Sequence, residues 1–463
     1  MESNQPRVTV IRGGLVWTGG AEPRLIQADV VIEDGIVAAV EPDYAGQATT
    51  EVDADGCIVL PGLIDSHVHP GPSPLIRGVA EDCALPPSGA FFHNTSGLLG
   101  FARRELSAAE YAAVLEWDCV SMLLGGATTI VNEQVGYHDM WAEIVGRLGF
   151  RGEMGVSYPT GRGSVSSRDD ADAAAAGFAG LQANLEAYTA YSGAFGGRLT
   201  VHLSPHGPDT VAEAVLRETR ARADALGLNI HLHVAQHPAE VATVAAITGG
   251  LTSVEYLGGI GLLGPDVLAV HATHATDADL DMLARTGTSL VVCPARRARE
   301  GVSAPAFRFA SRGLNVSLGT DSFSHDLLGD LSLCAVLGKL TASDLDQLVA
   351  AQVLSFATAA PARTLRRPDL GHLNPGARGD VVAVDLRTAF NAPAFDPVRS
   401  LVYYSSVGDV RHTLVDGEYV VRDRMVVHCD TQKLREQVTA SCRRVWESAN
   451  EAGVLPAGVA PVR

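Results

Sequence analysis

Lysine is nearly missing from this chain. Lys339 and Lys433 are the only two, and arginine supplies the rest of 35 basic residues set against 53 acidic ones. The formal net charge of −18 repels phosphate backbones and anionic membrane surfaces, so neither nucleic acid nor membrane is an expected partner. The seven cysteines (Cys57, Cys83, Cys119, Cys293, Cys334, Cys429, Cys442) are odd in number, widely spread and never spaced as CxxC, and they read as reduced, mostly buried thiols. No uninterrupted apolar run reaches transmembrane length, and "ESNQPR" after Met1 offers neither a basic n-region nor an apolar h-region, which predicts a cytoplasmic protein. Repeats are absent, and low complexity is confined to the Ala-rich "DDADAAAAGFAG", which reads as a helix.

What is present suits a compact enzyme: 46% of residues are hydrophobic and 19% charged. At 463 residues the chain has room for two or three domains, or for one large barrel with a smaller domain beside it. The first sixty residues alternate β-rich runs ("VTVIRGGLVWTG", "ADVVIEDGIVAAV", "CIVLPGLIDSHVH") with Gly-Gly, Asp-Gly and Asp55-Gly56 punctuation of the kind hairpin turns use. "RGDVVAVDL" and "VRHTLVDGEYVVRDRMVV" repeat that style far downstream, so both chain ends are expected in one small β domain. Between them, apolar strands ("GATTIV", "LTVHLSP", "LNIHLHVA", "VLAVHAT", "TSLVVCP", "LNVSLGTD") alternate with Ala/Leu-rich helical stretches, as in a parallel sheet covered by helices. The expected fold is α/β: a distorted TIM (β/α)8 barrel over 62–365, with a small β-sandwich domain built from 1–61 and 366–429, and a C-terminal helix and tail over 430–463.

The unusual polar residues fall at the C-terminal ends of these strands, where a barrel gathers its active site. His67 and His69 follow "VLPGLID", His231 and His233 stand in "LNIHLHVA", His271 closes "VLAVH" and Asp321 closes "LNVSLGTD". Side chains alternate along a strand, so the two members of a His-x-His pair face the same way and can grip one ion. Imidazoles with a carboxylate form a mixed N/O set that suits zinc or iron and leaves room for water, whose pKa such an ion brings to about 7. A lone histidine in an apolar strand is more often a core residue; several at strand ends in order are not.

"PGLIDSHVHP", "HLHVAQ", "LAVHATHATDADLDMLARTGTSLVVCP" and "SLGTDSFSHD" together resemble the amidohydrolase superfamily, in the branch of aminohydrolases and chlorohydrolases that act on N-heterocycles. The likeness spans nearly the whole chain and implies a metal-dependent hydrolase. It also implies that His67, His69, His233 and Asp321 are the metal ligands, that Asp321 takes a proton from the activated water, and that His271 polarises the substrate or holds the hydroxide. His231 and His274 have weaker claims. Hydantoinase-like relatives bridge two metals with a carboxylated lysine, and no Lys precedes Lys339 here, so one Zn²⁺ per chain, or Fe²⁺, is expected. Family habit further implies a homodimer or larger assembly.

One position departs from that pattern. Deaminases of the branch place a proton-shuttling Glu three residues after the third ligand, and this chain has Gln236, whose amide exchanges no proton at neutral pH. His237, Glu240 or His325 could replace it; the leaving group could be a good anion such as chloride; or Gln236 could hydrogen-bond a substrate carbonyl or ring nitrogen. Phe91, Phe92 and His93 are candidates to stack on a flat ring, and Arg296, in "PARRARE" with Arg297 and Arg299, to hold an anionic group. The function expected is hydrolytic deamination of a small-molecule nitrogen heterocycle, with dechlorination or ring C–N hydrolysis as the alternative. A catalytically dead metal-binding scaffold is the rival from another class.

Overall fold

A computed structural model describes residues 6–71, 73–79, 90–134, 136–159 and 164–455, leaving out the side chains of residues 90–96. Two sheets organise the chain. The first begins with β1 (Val8–Trp17), β2 (Leu25–Glu33), β3 (Ile36–Glu41), β4 (Thr50–Asp53) and β5 (Cys57–Pro61). Asp34-Gly35 forms the tight turn between β2 and β3, with both residues at positive φ as a type I′ hairpin needs. The other two dipeptides do something else. Gly13-Gly14 lies inside β1, where the register against β2 shifts, and Gly13 takes a φ of +70° there, so it makes a bulge and not a turn. Asp55-Gly56 joins β4 to β5, and since both run parallel to β1, it is a jog between two segments on one side of that strand.

The run "CIVLPGLIDSHVH" also divides. Its first half is β5 and its second is β6 (Leu63–Val68), the opening strand of the barrel. The barrel continues through β7 (Ala127–Gln134), β8 (Arg151–Ser157), β9 (Leu199–Ser204), β10 (Ile230–Val234), β11 (Val267–His271), β12 (Ser289–Val292) and β13 (Val316–Leu318). These eight strands pair in sequence order, all parallel. β8 is the strand the sequence patterning misses. "RGEMGVS" carries Arg151, Glu153 and two glycines at fully buried positions and lacks the apolar run that marks its neighbours. β14 (Val381–Asp385), β15 (Val410–Val415), β16 (Glu418–Arg422) and β17 (Met425–Val426) then return to the first sheet, where β14 pairs antiparallel with β5 and unites the two chain ends in one nine-stranded sheet.

The barrel closes where β13 meets β6. Asp321 N donates to His67 O at 2.8 Å, and His69 N donates to Asp321 O at 3.0 Å. Gly319 makes this seam: a Cβ on it would fall 2.8 Å from His67 N and 2.9 Å from His67 O, so only a residue without one lets the backbones meet. Helices such as Ala171–Tyr191, Glu213–Leu226 and Asp277–Thr286 pack outside the strands, and the helix Thr431–Glu451 lies against the helix Ala108–Leu124. Among the described residues no helix is long and apolar enough to cross a membrane. Cys57, Cys119, Cys293, Cys334, Cys429 and Cys442 are free thiols, all but Cys429 buried.

Candidate metal centre and its pocket

At the C-terminal ends of the barrel strands, the histidines from three strands and the carboxylate at the seam converge. His67, His69 and Asp321 each offer a ligand atom within 4.8 Å of the others, and His67, His233 and His271 do the same. His69 Nε2 lies 3.8 Å from Asp321 Oδ1, and His271 Nε2 lies 3.5 Å from Oδ2. Tetrahedral zinc ligands at about 2.1 Å from the ion stand roughly 3.4 Å apart, so these separations suit a shared divalent cation.

The ring orientations carry the same information. His69 Nδ1 is 2.8 Å from Glu133 O, and His233 Nδ1 is 3.0 Å from His206 O. A carbonyl only accepts, so each Nδ1 bears the proton and each Nε2 is left with a lone pair. His67 Nε2 is buried and has no hydrogen-bond partner among the described residues. Such an orphaned lone pair costs free energy unless something electropositive fills the space beside it. The donor set fits zinc or iron.

Electrostatics prepare the same state. Burial, reinforced by neighbouring imidazoles, holds His67, His231 and His233 well below the usual imidazole range, while burial and then Arg297 do so for His271, so all four are neutral. Burial raises the Asp321 carboxyl, but neighbouring charge, Arg296 foremost, outweighs it and holds the group below its ordinary value, hence ionised. The backbone is strained here as well: His271 sits at φ 72° and Asp321 at φ 62°. Left-handed conformations cost a non-glycine residue about 1–3 kcal/mol each and persist where surrounding structure imposes them.

Beside these groups lies a cavity of about 270 Å³, walled by His69, His233, His271 and Asp321 together with Gln236, His237 and Arg296. Each of these is a candidate named from the sequence. Gln236 is fixed through its backbone, with its N–H donated to Glu240 Oε2 at 2.6 Å and its carbonyl accepting from Arg297 Nη2 at 2.6 Å. Glu240 spends its carboxylate on the N–H groups of Ala235 and Gln236 and on Ser253 Oγ. It therefore holds the loop and does not face the cavity. Burial lowers His237 to about 4, so it is neutral at pH 7. Arg296 is almost fully buried, paired with Glu300 at 2.5 Å and 3.7 Å from Asp321 Oδ2.

His325 is placed elsewhere. It is 1% exposed and outside the cavity wall, with Nε2 2.8 Å from Ser73 Oγ and Nδ1 3.0 Å from Thr320 Oγ1. Thr320 in turn donates from Oγ1 and N to Asp65, at 2.7 and 2.9 Å. The third member of the "DSHVH" alternation thus pins the segment bearing Asp321 onto the strand bearing His67. The side chains of Phe91, Phe92 and His93 lie outside the described residues.

Two of the wall residues that were not sequence candidates stand beside the metal centre. Glu133 closes β7 and His206 follows β9, both at strand ends, so the rule that found the other histidines would have found these. Burial pushes the Glu133 carboxyl well above the usual range, an effect a neighbouring cation opposes.

Comparison with known proteins adds three findings. The amidohydrolase family model matches residues 58–420. A 5-methylthioadenosine/S-adenosylhomocysteine deaminase of Haloarcula marismortui is 31% identical over 449 residues, covering 94% of this chain and 99% of that protein. Among solved structures, a zinc-bound adenosine deaminase from Xanthomonas campestris superposes with a TM-score of 0.84 at 25% identity, covering 94% of this chain and 98% of its own. A zinc-complexed atrazine chlorohydrolase from Arthrobacter aurescens reaches the same TM-score at 23% identity, covering 94% of this chain and 100% of its own, and shares the fold.

Proposed function

Because this chain belongs to the amidohydrolase family, we propose that its barrel mouth performs metal-dependent hydrolytic deamination of a planar nitrogen heterocycle, with 5′-modified adenosines the first substrates to test. The observation that carries the reading is the orphaned Nε2 of His67, on a residue that lies within ligand reach of His69 and Asp321 in one group and of His233 and His271 in another, beside a ring-sized cavity. His67, His69, His233 and Asp321 would hold one Zn²⁺ or Fe²⁺. When bound, the ion supplies the Lewis acidity that makes water nucleophilic near neutral pH.

The chain's own groups account for the rest. Asp321, ionised and within 4 Å of His69, His271 and Arg296, is placed to receive the proton that water gives up on attack. His271, neutral and facing Asp321, stabilises negative charge developing at the attacked ring. Gln236 can donate a hydrogen bond to a ring nitrogen or carbonyl but cannot shuttle a proton. His237, beside it on the same wall and neutral, would have to take up the proton that Asp321 receives from water before passing it to the departing amine. Arg296 offers a cationic wall to a carbonyl or anionic substituent. His325 acts only through the segment that carries Asp321. The protein is read as cytoplasmic and as a homodimer in which exposed apolar side chains such as Leu340, Leu345 and Phe395 would find cover.

The test is a zinc-loaded preparation offered 5′-methylthioadenosine, S-adenosylhomocysteine, 5′-deoxyadenosine, adenosine, guanine and a chlorotriazine, with ammonia and chloride both followed. Ammonia release that disappears in Asp321→Asn is expected. Gln236 favours a second reading, displacement of a leaving group that needs no proton, and chloride without ammonia would establish it. Inertness toward every compound, with substrate-like ligands still raising Tm, would make the protein a metal-binding scaffold.

A further inference from the structure

Glu133 and His231 stand behind the ligands and have no part in the reaction as described above. Glu133 reaches the metal centre from two sides. Its carbonyl oxygen accepts from His69 Nδ1 at 2.8 Å. Its carboxyl group, 1% exposed, receives Ser157 Oγ on Oε1 at 2.8 Å and directs Oε2 toward His231 Nδ1, 3.7 Å away, and His233 Nδ1, 3.5 Å away. His231, 0% exposed, has its other nitrogen, Nε2, 3.2 Å from His67 Nδ1. Neither Glu133 Oε2 nor His231 Nδ1 has a hydrogen-bond partner among the described residues.

Proton counting gives this arrangement one consistent state when His67 ligates through Nε2. A neutral imidazole carries one proton, so that of His67 must sit on Nδ1. The atom facing Nδ1 is His231 Nε2, which must then accept, and His231 keeps its own proton on Nδ1. That proton points at Glu133 Oε2, 3.7 Å away, whose lone pairs can accept it. The opposite assignment would put a proton on His67 Nε2, where the ion belongs.

We propose that His231 and Glu133 are positioning residues for the metal ligands: they fix the tautomer and ring plane of His67 through its Nδ1, while the Glu133 carbonyl fixes His69. The inference rests on the proposed metal-ligand set. It differs from a core-packing role because it predicts a loss of metal affinity without a loss of fold. Groups that orient ligating histidines typically change metal affinity about 10- to 100-fold when removed.

The experiment measures zinc binding by competition with a chromophoric chelator, alongside Tm of the metal-free protein and the visible spectrum of the Co²⁺-substituted form. Wild type is expected to bind one zinc per chain. His231→Leu and Glu133→Leu should weaken zinc about 10- to 100-fold and shift the cobalt bands. Glu133→Gln and His231→Gln retain an oxygen acceptor and should recover part of the affinity, with metal-free Tm near wild type. Zinc affinity at the wild-type level in the leucine variants overturns the inference and leaves the proposed function standing. A fall in metal-free Tm in the glutamine variants that matches their loss of zinc also overturns it, since the chain would then hold the barrel and not the ligands. A wild type that binds no zinc overturns both.

Discussion

At the scale of single residues, the metal centre depends on backbone conformations that its side chains do not favour. Asp321 and His271 are both left-handed, and the seam that imposes this on Asp321 exists because Gly319 lets β13 touch β6. Gly319→Ala is therefore expected to cost about 1–3 kcal/mol through overpacking and to reduce bound zinc, since the displaced backbone belongs to His67. Denaturant midpoints and metal content per chain would check this. A midpoint at the wild-type value with full metal would show that the seam tolerates a methyl group. Gln236 is the other decisive residue. Replacing it by Glu restores a carboxyl on the cavity wall next to His237. If proton delivery to the leaving amine limits turnover, Gln236→Glu raises kcat for ammonia release about a hundredfold, the lower end of the usual 10²–10⁴-fold range of general acid–base catalysis. An unchanged kcat would mean that another group already supplies the proton. Alternation and strand ends were enough to single out the candidate histidines, because period-2 geometry is local, while the choice of His233 over His231 as a ligand came from the family resemblance. Glu133 and His206 obey the same rule, yet His325 does not enter the cavity although it lies four positions past Asp321. Its direction is set by hydrogen bonds to Ser73 and Thr320, which no local pattern encodes.

At the scale of elements, two charged contacts tie distant segments together. Arg151 opens β8 and is 1% exposed; it forks onto Asp380 at 2.6 and 2.9 Å and also pairs with Asp416, joining the base of the barrel to the turn between β15 and β16. Arg151→Met removes the cation from between two buried carboxylates, and about 3–5 kcal/mol of stability should go with it. Urea unfolding would measure that, and a loss under 1 kcal/mol would show that water or other arginines replace the contact. At the opposite end, Glu110 caps the helix Ala108–Leu124 and holds Arg444 of the helix Thr431–Glu451 at 2.8 Å. Hydrogen bonds from Arg444 and Ser107 bring its carboxyl from an ordinary 4.5 down to about 2. A lowered folded-state pKa means stability that is present above 4.5 and lost as pH falls from 4.5 toward 2. Glu110→Gln keeps the capping box but not the charge, so it should be less stable than wild type at pH 7 and indistinguishable from it near pH 2. A stability gap that does not vary with pH would assign the effect to packing. Arg151 also explains why β8 escaped notice in the sequence: a strand that begins with a buried arginine and a glycine violates the apolar pattern, because its first residue serves another domain.

At the scale of the whole molecule, folding and metal binding are linked. The proposed ligands lie at the ends of β6, β10 and β13, segments that meet only in the closed barrel, so an ion held by them would bind the native state and not the unfolded chain. Zinc at a thousandfold excess over its Kd adds about 4 kcal/mol to stability, and dialysis against a chelator should lower Tm by several degrees, reversibly on zinc return. A Tm indifferent to chelator would mean that no ion occupies the site. The sequence by itself determined the class of this protein: alternation with period two placed His67 beside His69 and His231 beside His233, and strand–helix repetition required a parallel sheet, since both are rules about neighbours a few residues apart. Tertiary structure alone decided the closure across Gly319, the carbonyl partners that expose each Nε2, the assignment of His325 and Glu240 to loop anchoring, and the place of Glu133 behind three imidazoles. Each depends on atoms brought together from strands far apart in the chain, and contacts of that kind leave no periodic trace in a sequence.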